Sequence, residues 1–400
     1  CSTIVQKMAK QYGSQWKGLS KLAEEYSTKV LGIKLGVEPI VVTEIQKELQ
    51  NILKYISANN FKPINTKTIV AMSVMNILWQ FTAGERIKED RLNFLLDLLS
   101  TRTKAFSMAG GWLNQWPWIR FLLPDTSGYT LIKKMNQQIS DIIDEAIMKH
   151  KNNVIEGKDF IYMFLQEMNE NKETFTEEQL RVICLDILIA GSQTTSNVLE
   201  FAILMVLRNK IIQEKIYDEI INTIGESTPS WVDSNKLTYT MAFLHEVQRY
   251  FTITPLAGPR RALDDVIIDG YLIPKDSTVL ISIGDIHQDN KIWDRPDEFM
   301  PERFIDETGN IKNTEHLYPF GIGKCSFRLI YLTNSTMVFF TGRRRCPGDS
   351  LAKSFIFITF VGILQKYRIE CSNGILPSDV PSIGLISSAK PFTADFIARS

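Results

Sequence analysis

Arg343-Arg344-Arg345-Cys346-Pro347-Gly348-Asp349-Ser350-Leu351-Ala352 is the most informative segment of this chain. It places one cysteine behind three arginines and before a Pro-Gly turn, and an apolar helix is predicted to follow from Leu351 to Leu364. The cationic cluster and the N-terminus of that helix would both stabilise a thiolate at Cys346. Thiolates in such turns ligate haem iron, and the alternative is a buried structural cysteine beside a basic surface run.

The composition argues against several classes of protein. The 400 residues carry 45 basic and 45 acidic side chains, so bulk charge does not favour nucleic-acid binding. Five cysteines without a CxxC pair indicate a reducing compartment, and four histidines without an HExxH motif argue against a zinc site. No uncharged apolar run reaches about 18 residues, so no transmembrane span is predicted. The N-terminus does not resemble a signal peptide, and a start at Cys1 rather than Met is consistent with a fragment.

The hydrophobic pattern predicts a mainly α fold with small peripheral β-sheets, and the length allows one large domain or two, of which the resemblance described below implies a single one over residues 1–400. The domain has an N-terminal helix (4–26) and strand pair in 1–43, a helical part in 44–250, and a mixed part with the Cys346 turn in 251–400. Elements with the clearest signals are a strand pair in Lys29–Val42, helices over Thr130–Lys151, from Lys210 and over Thr238–Tyr250, a hairpin over Asp265–Pro274 that turns at Asp269-Gly270, and a strand over Thr278–Ser282.

A long helix is predicted over Glu177 to about Arg208, because Thr176 and Gln179 form a capping-box pattern and the interior is apolar on nearly every face. Its middle reads Ala190-Gly191-Ser192-Gln193-Thr194-Thr195. Glycine costs about 1 kcal/mol of helix propensity relative to alanine, and threonine can bond back to the preceding turn and bend the helix. The segment is therefore either a notch where a ligand touches the helix or a kink for close helix packing.

An apolar loop interrupts the helical pattern at Ala109-Gly110-Gly111-Trp112-Leu113-Asn114-Gln115-Trp116-Pro117-Trp118. Tryptophan is frequent where a protein meets a membrane interface. The loop is therefore either folded onto the core or exposed as a surface that touches a membrane or the mouth of a channel.

Two further motifs complete an ordered set. Glu246-Val247-Gln248-Arg249 lies on a predicted helix, where the i,i+3 spacing places both charges on one face, and Pro301-Glu302-Arg303-Phe304 follows in a loop. A lone Glu-x-x-Arg is most often a solvated surface pair. With the helix notch before them and the Cys346 turn after them, however, the chain resembles the cytochrome P450 family of haem-thiolate monooxygenases. Segments such as Gly111-Trp112-Leu113-Asn114 and Ser127-Gly128-Tyr129 are similar to the animal microsomal branch, and to insect members in particular.

The resemblance implies roles for individual residues. Phe320, Arg344, Cys346 and Gly348 match the family's Phe-x-x-Gly-x-Arg-x-Cys-x-Gly pattern, apart from an insertion, so Cys346 would ligate the iron of haem b. The other implied roles are Arg344 and Arg260 as partners of the haem propionates, Phe320 beside the thiolate, Glu246, Arg249 and Arg303 as a buried triad that braces the haem loop, and Thr194, with Gly191 in the same notch, as the distal threonine that helps deliver protons to dioxygen. The family usually has an acidic residue where this chain has Gln193, and an amide cannot exchange a proton as a carboxyl can.

The implied function is the insertion of one oxygen atom of O2 into a lipophilic small molecule, by hydroxylation or epoxidation. The implied partners are an NADPH-dependent reductase that supplies electrons and a membrane surface, at the cytosolic face of the endoplasmic reticulum. A terpenoid hormone precursor, a steroid or a xenobiotic would fit as substrate, and Leu256 and Ala257 are apolar candidates for the channel wall. The rival interpretation is a catalytically dead, haem-free product of mis-splicing or misprediction, with at most apolar-ligand binding.

Two departures from the family concern missing parts. The family's membrane anchor and proline hinge do not precede Cys1. The helix that begins at Glu44 follows Thr43 directly, whereas the family has several tens of residues before the corresponding helix. The omitted part would carry a Trp-x-x-x-Arg haem contact, and Trp116 to Arg120 has that spelling in the wrong place.

A third departure is an insertion of 19 residues, 324–342, inside the haem-loop pattern. Removing it joins Gly323 to Arg343 and restores the family's six residues between Phe320 and Cys346, where this chain has 25. We expect residues 324–341 to form an ill-ordered or poorly packed excursion that weakens haem binding, because a floppy loop no longer fixes the thiolate.

The insertion is interpreted as a retained, translated intron. Gly323-Lys324-Cys325 can be encoded with a splice donor, and Phe339-Phe340-Thr341-Gly342 with a pyrimidine tract and a splice acceptor. The alternative is a genuine surface insertion in a divergent enzyme.

Overall fold

Helices make up most of the described structure, which is a computed structural model covering residues 39–59, 62–105, 113, 116, 118–152, 159–170, 175–321, 330–332, 335–337, 346–372, 374–382, 384 and 386–399. The helices are α1 (Pro39–Ala58), α2 (Thr66–Ala83), α3 (Glu89–Ala105), α4 (Ile119–Leu122), α5 (Tyr129–Lys151), α6 (Phe160–Glu170), α7 (Glu177–Arg208), α8 (Lys210–Ile224), α9 (Thr238–Phe251), α10 (Ile283–Gln288) and α11 (Asp349–Lys366). The strands are β1 (Ile64–Asn65), β2 (Arg260–Arg261), β3 (Val266–Ile268), β4 (Tyr271–Ile273), β5 (Thr278–Val279), β6 (Ile330–Leu332), β7 (Ser335–Met337), β8 (Tyr367–Cys371) and β9 (Thr393–Ala398). The predicted mainly α fold with small sheets is confirmed.

Helix α7 runs through the core, as predicted. Gln179 N donates to Thr176 Oγ1 at 3.3 Å and Thr176 N donates to Gln179 Oε1 at 2.8 Å, so the capping box is confirmed. Every residue from Thr195 to Leu207 is buried, and α2, α5 and α11 pack around the helix. Among the described residues, α7 is also the one helix long and apolar enough to cross a membrane, by length and composition alone.

The predicted strand over Pro39–Val42 is wrong, because these residues form the first turn of α1. Proline is well tolerated at the first helical position, where its missing N–H has no partner to lose. Val41 and Val42 pack against the core, so tertiary contact outweighs the β-propensity of the run. The helix continues through Thr43, where the family pattern has additional residues. The other predicted strand and the predicted helix over 4–26 lie outside the described residues.

The sheets are small and antiparallel. The largest has the order β1-β9-β8, with Ile64 opposite Ala394 and Ile369 opposite Phe396. Strand β1 has two residues, too few for a periodic signal, and it is not predicted from the sequence. The side chains of both residue pairs, Ile64 with Ala394 and Ile369 with Phe396, are buried, so the sheet closes one side of the helical core.

The predicted hairpin is confirmed as β3 and β4. Asp269 has φ 54° and Gly270 has φ 78°. A type I′ turn requires positive φ at both central residues, which is why Asp-Gly favours it. Strand β5 pairs with β2 and contains the first part of the strand predicted over Thr278–Ser282.

Six residues of the 324–342 insertion form β6 and β7. Ile330 lies opposite Met337, and Leu332 lies opposite Ser335. Within the described residues this sheet has no third strand. The expectation of an ill-ordered segment is therefore wrong for these six residues, while the expectation of poor packing stays a prediction, and the rest of the insertion lies outside the described residues.

Helix α9 carries two of the predicted charged residues and is held at its N-terminus by α8. Glu219 accepts hydrogen bonds from Tyr239 N at 2.7 Å and from Thr240 N at 2.8 Å. These are among the helix-terminal donors that have no partner within the helix itself. A carboxylate there also interacts favourably with the helix dipole, so Glu219 fixes where α9 begins.

Candidate functional site

The N-terminal half of α7 presents an accessible stripe on a helix that otherwise lies in the core. Asp186 and Ala190 are exposed and Thr194 is half-buried, and their i, i+4, i+8 spacing places them on one face. Thr194 Oγ1 donates to Ala190 O at 2.8 Å, the bond to the preceding turn that the sequence suggests. A ligand can therefore reach α7 along this stripe.

Gly191 and Gln193 contact neighbouring helices. A Cβ added to Gly191 would lie 2.8 Å from Leu78 Cδ2 of α2, so the glycine permits close helix packing, which is the alternative to a ligand notch. Gln193 Nε2 donates to Leu99 O of α3 at 3.2 Å. The amide that replaces the family's acidic residue thus ties two helices together.

Cys346 is exposed and lies three residues before the first residue of α11. The alternative of a buried structural cysteine is therefore wrong. Cys346 N donates to Phe320 O at 3.0 Å, so the two halves of the haem-loop pattern meet in spite of the insertion. A Cβ built on Gly348 would lie 4.0 Å from Cys346 Sγ, an ordinary contact. The thiol is accessible and lies two residues before Gly348, the N-cap of α11.

The predicted partners of the haem propionates are partly described. Arg260 lies on β2, half-buried, and its Nη1 donates to Gly258 O at 2.7 Å. Arg344 lies outside the described residues. Lys353 of α11, which the sequence analysis does not single out, has its Nζ 5.1 Å from the ring centroid of Phe320. The Lys353 cation therefore lies next to Phe320, whose carbonyl accepts from Cys346 N.

Glu246, Arg249 and Arg303 form the predicted buried cluster. Arg249 Nε lies 2.7 Å from Glu246 Oε2, and Arg303 Nε lies 3.1 Å from Glu246 Oε1. All three residues are buried. Both guanidinium groups also donate to main-chain carbonyls, which belong to His287, Asp294, Arg295, Pro296 and Glu298. The expectation that the buried charges satisfy one another is confirmed.

His287 of α10, which no sequence motif marks, connects this cluster to the segment that ends at Gly321. Arg249 Nη1 donates to His287 O at 2.8 Å, and Tyr318 N donates to His287 Nε2 at 3.0 Å. Burial, followed by the Arg249 cation, lowers the pKa of His287 to about 4. A lone histidine on a short helix belongs to no motif in the sequence, so only the fold reveals this connection.

A cavity of about 170 Å³ lies between α9, α11 and the segment that ends at Gly321. It is lined by Trp231, Met241, Leu244, His245, Gln248, Thr314, Leu317, Pro319, Phe320, Gly321, Lys353, Ile356 and Phe357. Burial, followed by the Lys353 cation, lowers the pKa of His245 to about 4. Neither Thr194 nor Cys346 lines the cavity, so it is separate from the accessible stripe of α7.

The known proteins whose sequences are similar to this chain belong to one family. The cytochrome P450 family model matches residues 3–326, and its match ends inside the 324–342 insertion. A probable cytochrome P450 305a1 of Drosophila melanogaster is 36% identical over 373 residues, covering 89% of this chain and 70% of the relative. Farnesoate epoxidase of Bombyx mori is 34% identical over 362 residues, covering 89% and 69%. Cytochrome P450 2U1 of Mus musculus is 29% identical over 401 residues, covering 97% and 71%.

Proposed function

Because this chain belongs to the cytochrome P450 family of monooxygenases, we propose that Cys346 ligates the iron of a haem b and that the chain oxidises a lipophilic small molecule. The observation that carries the proposal is the exposed Cys346 thiol before α11, with its main chain bonded to Phe320 O at 3.0 Å. The accessible face of α7 supports it, because a planar cofactor needs reachable surface beside a core helix.

The bound haem would supply the activation of O2 and the oxygen transfer. Cys346 would hold the iron through its sulfur, and Arg260 and Arg344 would each contact a propionate. Thr194 Oγ1 donates its proton to Ala190 O, so its lone pairs remain able to accept a hydrogen bond from a proton source. Gln193 can orient water with its amide but cannot exchange a proton, which leaves the threonine hydroxyl as the group that positions the proton. An NADPH-dependent reductase would supply the electrons.

Replacing Cys346 by serine is expected to abolish the long-wavelength band of the reduced CO-difference spectrum, because only a thiolate ligand produces it. Cys371→Ser is the matched control, since Cys371 is partly buried with its Sγ 2.6 Å from Ile375 O, and it should leave the band intact. A band that survives in Cys346→Ser would exclude Cys346 as the ligand. A band absent from the unaltered chain would instead favour the haem-free alternative.

The substrate class we propose is a sesquiterpenoid acid or ester that is epoxidised. The support is the 34% identity to farnesoate epoxidase, together with Leu256, which is 37% exposed and follows the channel-side turn after α9. Spectral titration of the same preparation with farnesoate and with a steroid distinguishes the classes. Tighter binding of the steroid would reject the sesquiterpenoid assignment without affecting that of Cys346.

We also propose that the surface around α4 contacts a membrane, at the cytosolic face of the endoplasmic reticulum. Trp116 and Trp118 are 48% and 56% exposed, and Phe121 and Leu122 are 74% and 68% exposed. The alternative that this loop folds onto the core is therefore wrong for the two described tryptophans. Contiguous exposed aromatic and aliphatic side chains suit the boundary between lipid headgroups and hydrocarbon.

The double variant Phe121→Ser/Leu122→Ser is expected to weaken binding to phosphatidylcholine vesicles by about tenfold or more, because burial of each such side chain contributes about 1.5–3 kcal/mol when complete. Ile211→Ser is the control, since Ile211 is 72% exposed on α8, away from this loop. Vesicle co-sedimentation measures the effect. Equal losses in both variants would indicate a general change in solubility and no specific membrane surface.

The second candidate function is an inactive chain that holds no haem. The 324–342 insertion favours it, because it separates the two halves of the haem-loop pattern and the family match ends within it. The contact between Cys346 N and Phe320 O argues the other way. Removal of the insertion distinguishes the two candidates.

A further inference from the structure

His287 is fully buried and uses both nitrogens of its ring. Tyr318 N donates to Nε2 at 3.0 Å, and Nδ1 lies 2.8 Å from Thr252 Oγ1. A backbone N–H is always the donor, so Nε2 carries no proton and Nδ1 carries the ring proton. The hydrogen-bond network therefore assigns the neutral Nδ1–H tautomer, with one arm to Thr252 and one arm to Tyr318.

The Thr252 arm holds a strained turn at the end of α9. Thr252 has φ 34° and ψ 80°, a region that β-branched residues rarely adopt. Its Oγ1 accepts from His287 Nδ1 and donates to Arg249 O at 2.7 Å, while its own carbonyl accepts from Ser387 Oγ at 3.2 Å. The turn sends the chain toward Leu256 on the proposed channel wall, so these bonds fix the direction of that wall.

The Tyr318 arm reaches the segment whose carbonyl bonds to the main chain of Cys346. Tyr318 lies two residues before Phe320, whose carbonyl accepts from Cys346 N at 3.0 Å. The path from the imidazole to Cys346 thus consists of two hydrogen bonds and a short run of backbone. Both hydrogen bonds are donated by main-chain N–H groups, those of Tyr318 and Cys346.

We propose that His287 is a positioning residue that sets the Cys346 segment and the Thr252 turn at a fixed separation through its two ring nitrogens. It acts through Tyr318 on the thiol side and through Thr252 on the channel side. The inference depends on the proposed function only for the identity of the group that Cys346 binds, because every contact in it belongs to the chain itself. His287 is also connected to the Glu246 cluster, because its main-chain carbonyl accepts a hydrogen bond from Arg249.

Two substitutions separate the arms. His287→Asn places an amide N–H where Nδ1 lies and keeps the Thr252 bond, but it leaves Tyr318 N without an acceptor. His287→Gln places an amide oxygen where Nε2 lies and keeps the Tyr318 bond, but it loses the donor to Thr252. Both variants remove the ring, so a loss of stability from the missing ring is common to the two.

The measurements are peptide-resolved hydrogen exchange at Tyr318 and the alkylation rate of Cys346, with Cys371 as the internal reference, on the full chain without added haem. We expect His287→Asn to raise both the Tyr318 exchange rate and the Cys346 alkylation rate about tenfold, since a buried N–H loses its acceptor. His287→Gln should stay within about twofold of the parent at Cys346, and Cys371 should not change in either variant.

Equal Cys346 rates in the two variants, or a Cys371 rate that rises together with Cys346, would overturn the proposal, because either result means general loosening. If neither His287 variant folds, substitutions at Thr252 test the proposal. Thr252→Val should raise the hydrogen-exchange rate of the turn at Thr252, because the ring loses that anchor, and Thr252→Ser should restore the parent exchange rate, while the Cys346 alkylation rate stays within about twofold of the parent as in His287→Gln. Equal exchange rates at this turn in Thr252→Val and Thr252→Ser would also overturn the proposal. Because these readouts do not use haem, their failure is distinct from a missing CO-difference band.

Discussion

Glu246→Ala is expected to lower the free energy of unfolding by about 3–5 kcal/mol, the range for breaking a buried ion pair by removing one partner. Among the residues that the structure describes, Glu246 is the one carboxylate that contacts both Arg249 and Arg303, at 2.7 and 3.1 Å. Its Oε1 also accepts from Met300 N at 2.8 Å. Without it, two buried guanidinium groups keep their carbonyl partners but lose the charge that balances them.

The measurement is the midpoint and slope of urea unfolding, followed by tryptophan fluorescence. Glu302→Ala is the matched control, because Glu302 belongs to the adjacent motif, has its side chain 48% exposed and pairs with Lys215 at 3.1 Å. Exposed pairs of this kind contribute about 0–1 kcal/mol. If Glu246→Ala were as stable as Glu302→Ala, the cluster would not hold the fold together, and its assigned role in bracing the haem loop would fail as well.

Locally encoded features are predictable from this sequence. The capping box at Thr176 and Gln179 places the start of α7, and the Asp269-Gly270 pair specifies a type I′ hairpin, because each signal acts within four residues. The i,i+3 spacing of Glu246 and Arg249 likewise gives their contact directly. Arg303 joins them across 57 positions, and only the resemblance to a family suggests it.

The features that the sequence does not predict depend on distant contacts. Pro39–Val42 is a β-branched run that becomes helical because its valines pack against the core. Glu219 caps α9 from another helix, and His287 joins two segments without belonging to a motif. At the candidate site, Gly191 is recognisable as unusual in a helix, but only the position of Leu78 shows that it serves helix packing. Local patterns reveal which residues are special, and the fold decides what each one contacts.

The insertion is compatible with closure of the haem-loop segment. Phe320 and Cys346 remain hydrogen-bonded at 3.0 Å, and the described part of 324–342 forms the separate pair of β6 and β7. Lengthening the loop from six to 25 residues costs only about 1 kcal/mol of closure entropy. The insertion has a greater effect on Arg344 and its neighbours than on loop closure, because these residues no longer follow Gly323 directly in the chain.

Deletion of 324–342 is therefore expected to raise haem affinity by about 10–100-fold, the effect of restoring the contacts that orient a metal ligand. The full chain and the deletion variant would each be titrated with haem. The CO-difference band would report thiolate ligation in both. Haem uptake is a better readout than turnover, since the family pattern has further residues where Thr43 meets Glu44.

A third form, in which 324–342 is replaced by a Gly-Ser linker of equal length, separates length from sequence. If loop length weakens haem binding, the linker form should bind as weakly as the full chain. If the β6–β7 hairpin itself displaces the haem-loop residues, the linker form should bind nearly as tightly as the deletion. Equal, tight, thiolate-ligated binding by all three forms would mean that the hairpin is tolerated as a surface feature, that Phe320 and Cys346 alone position the thiolate, and that the retained-intron interpretation has no consequence for function.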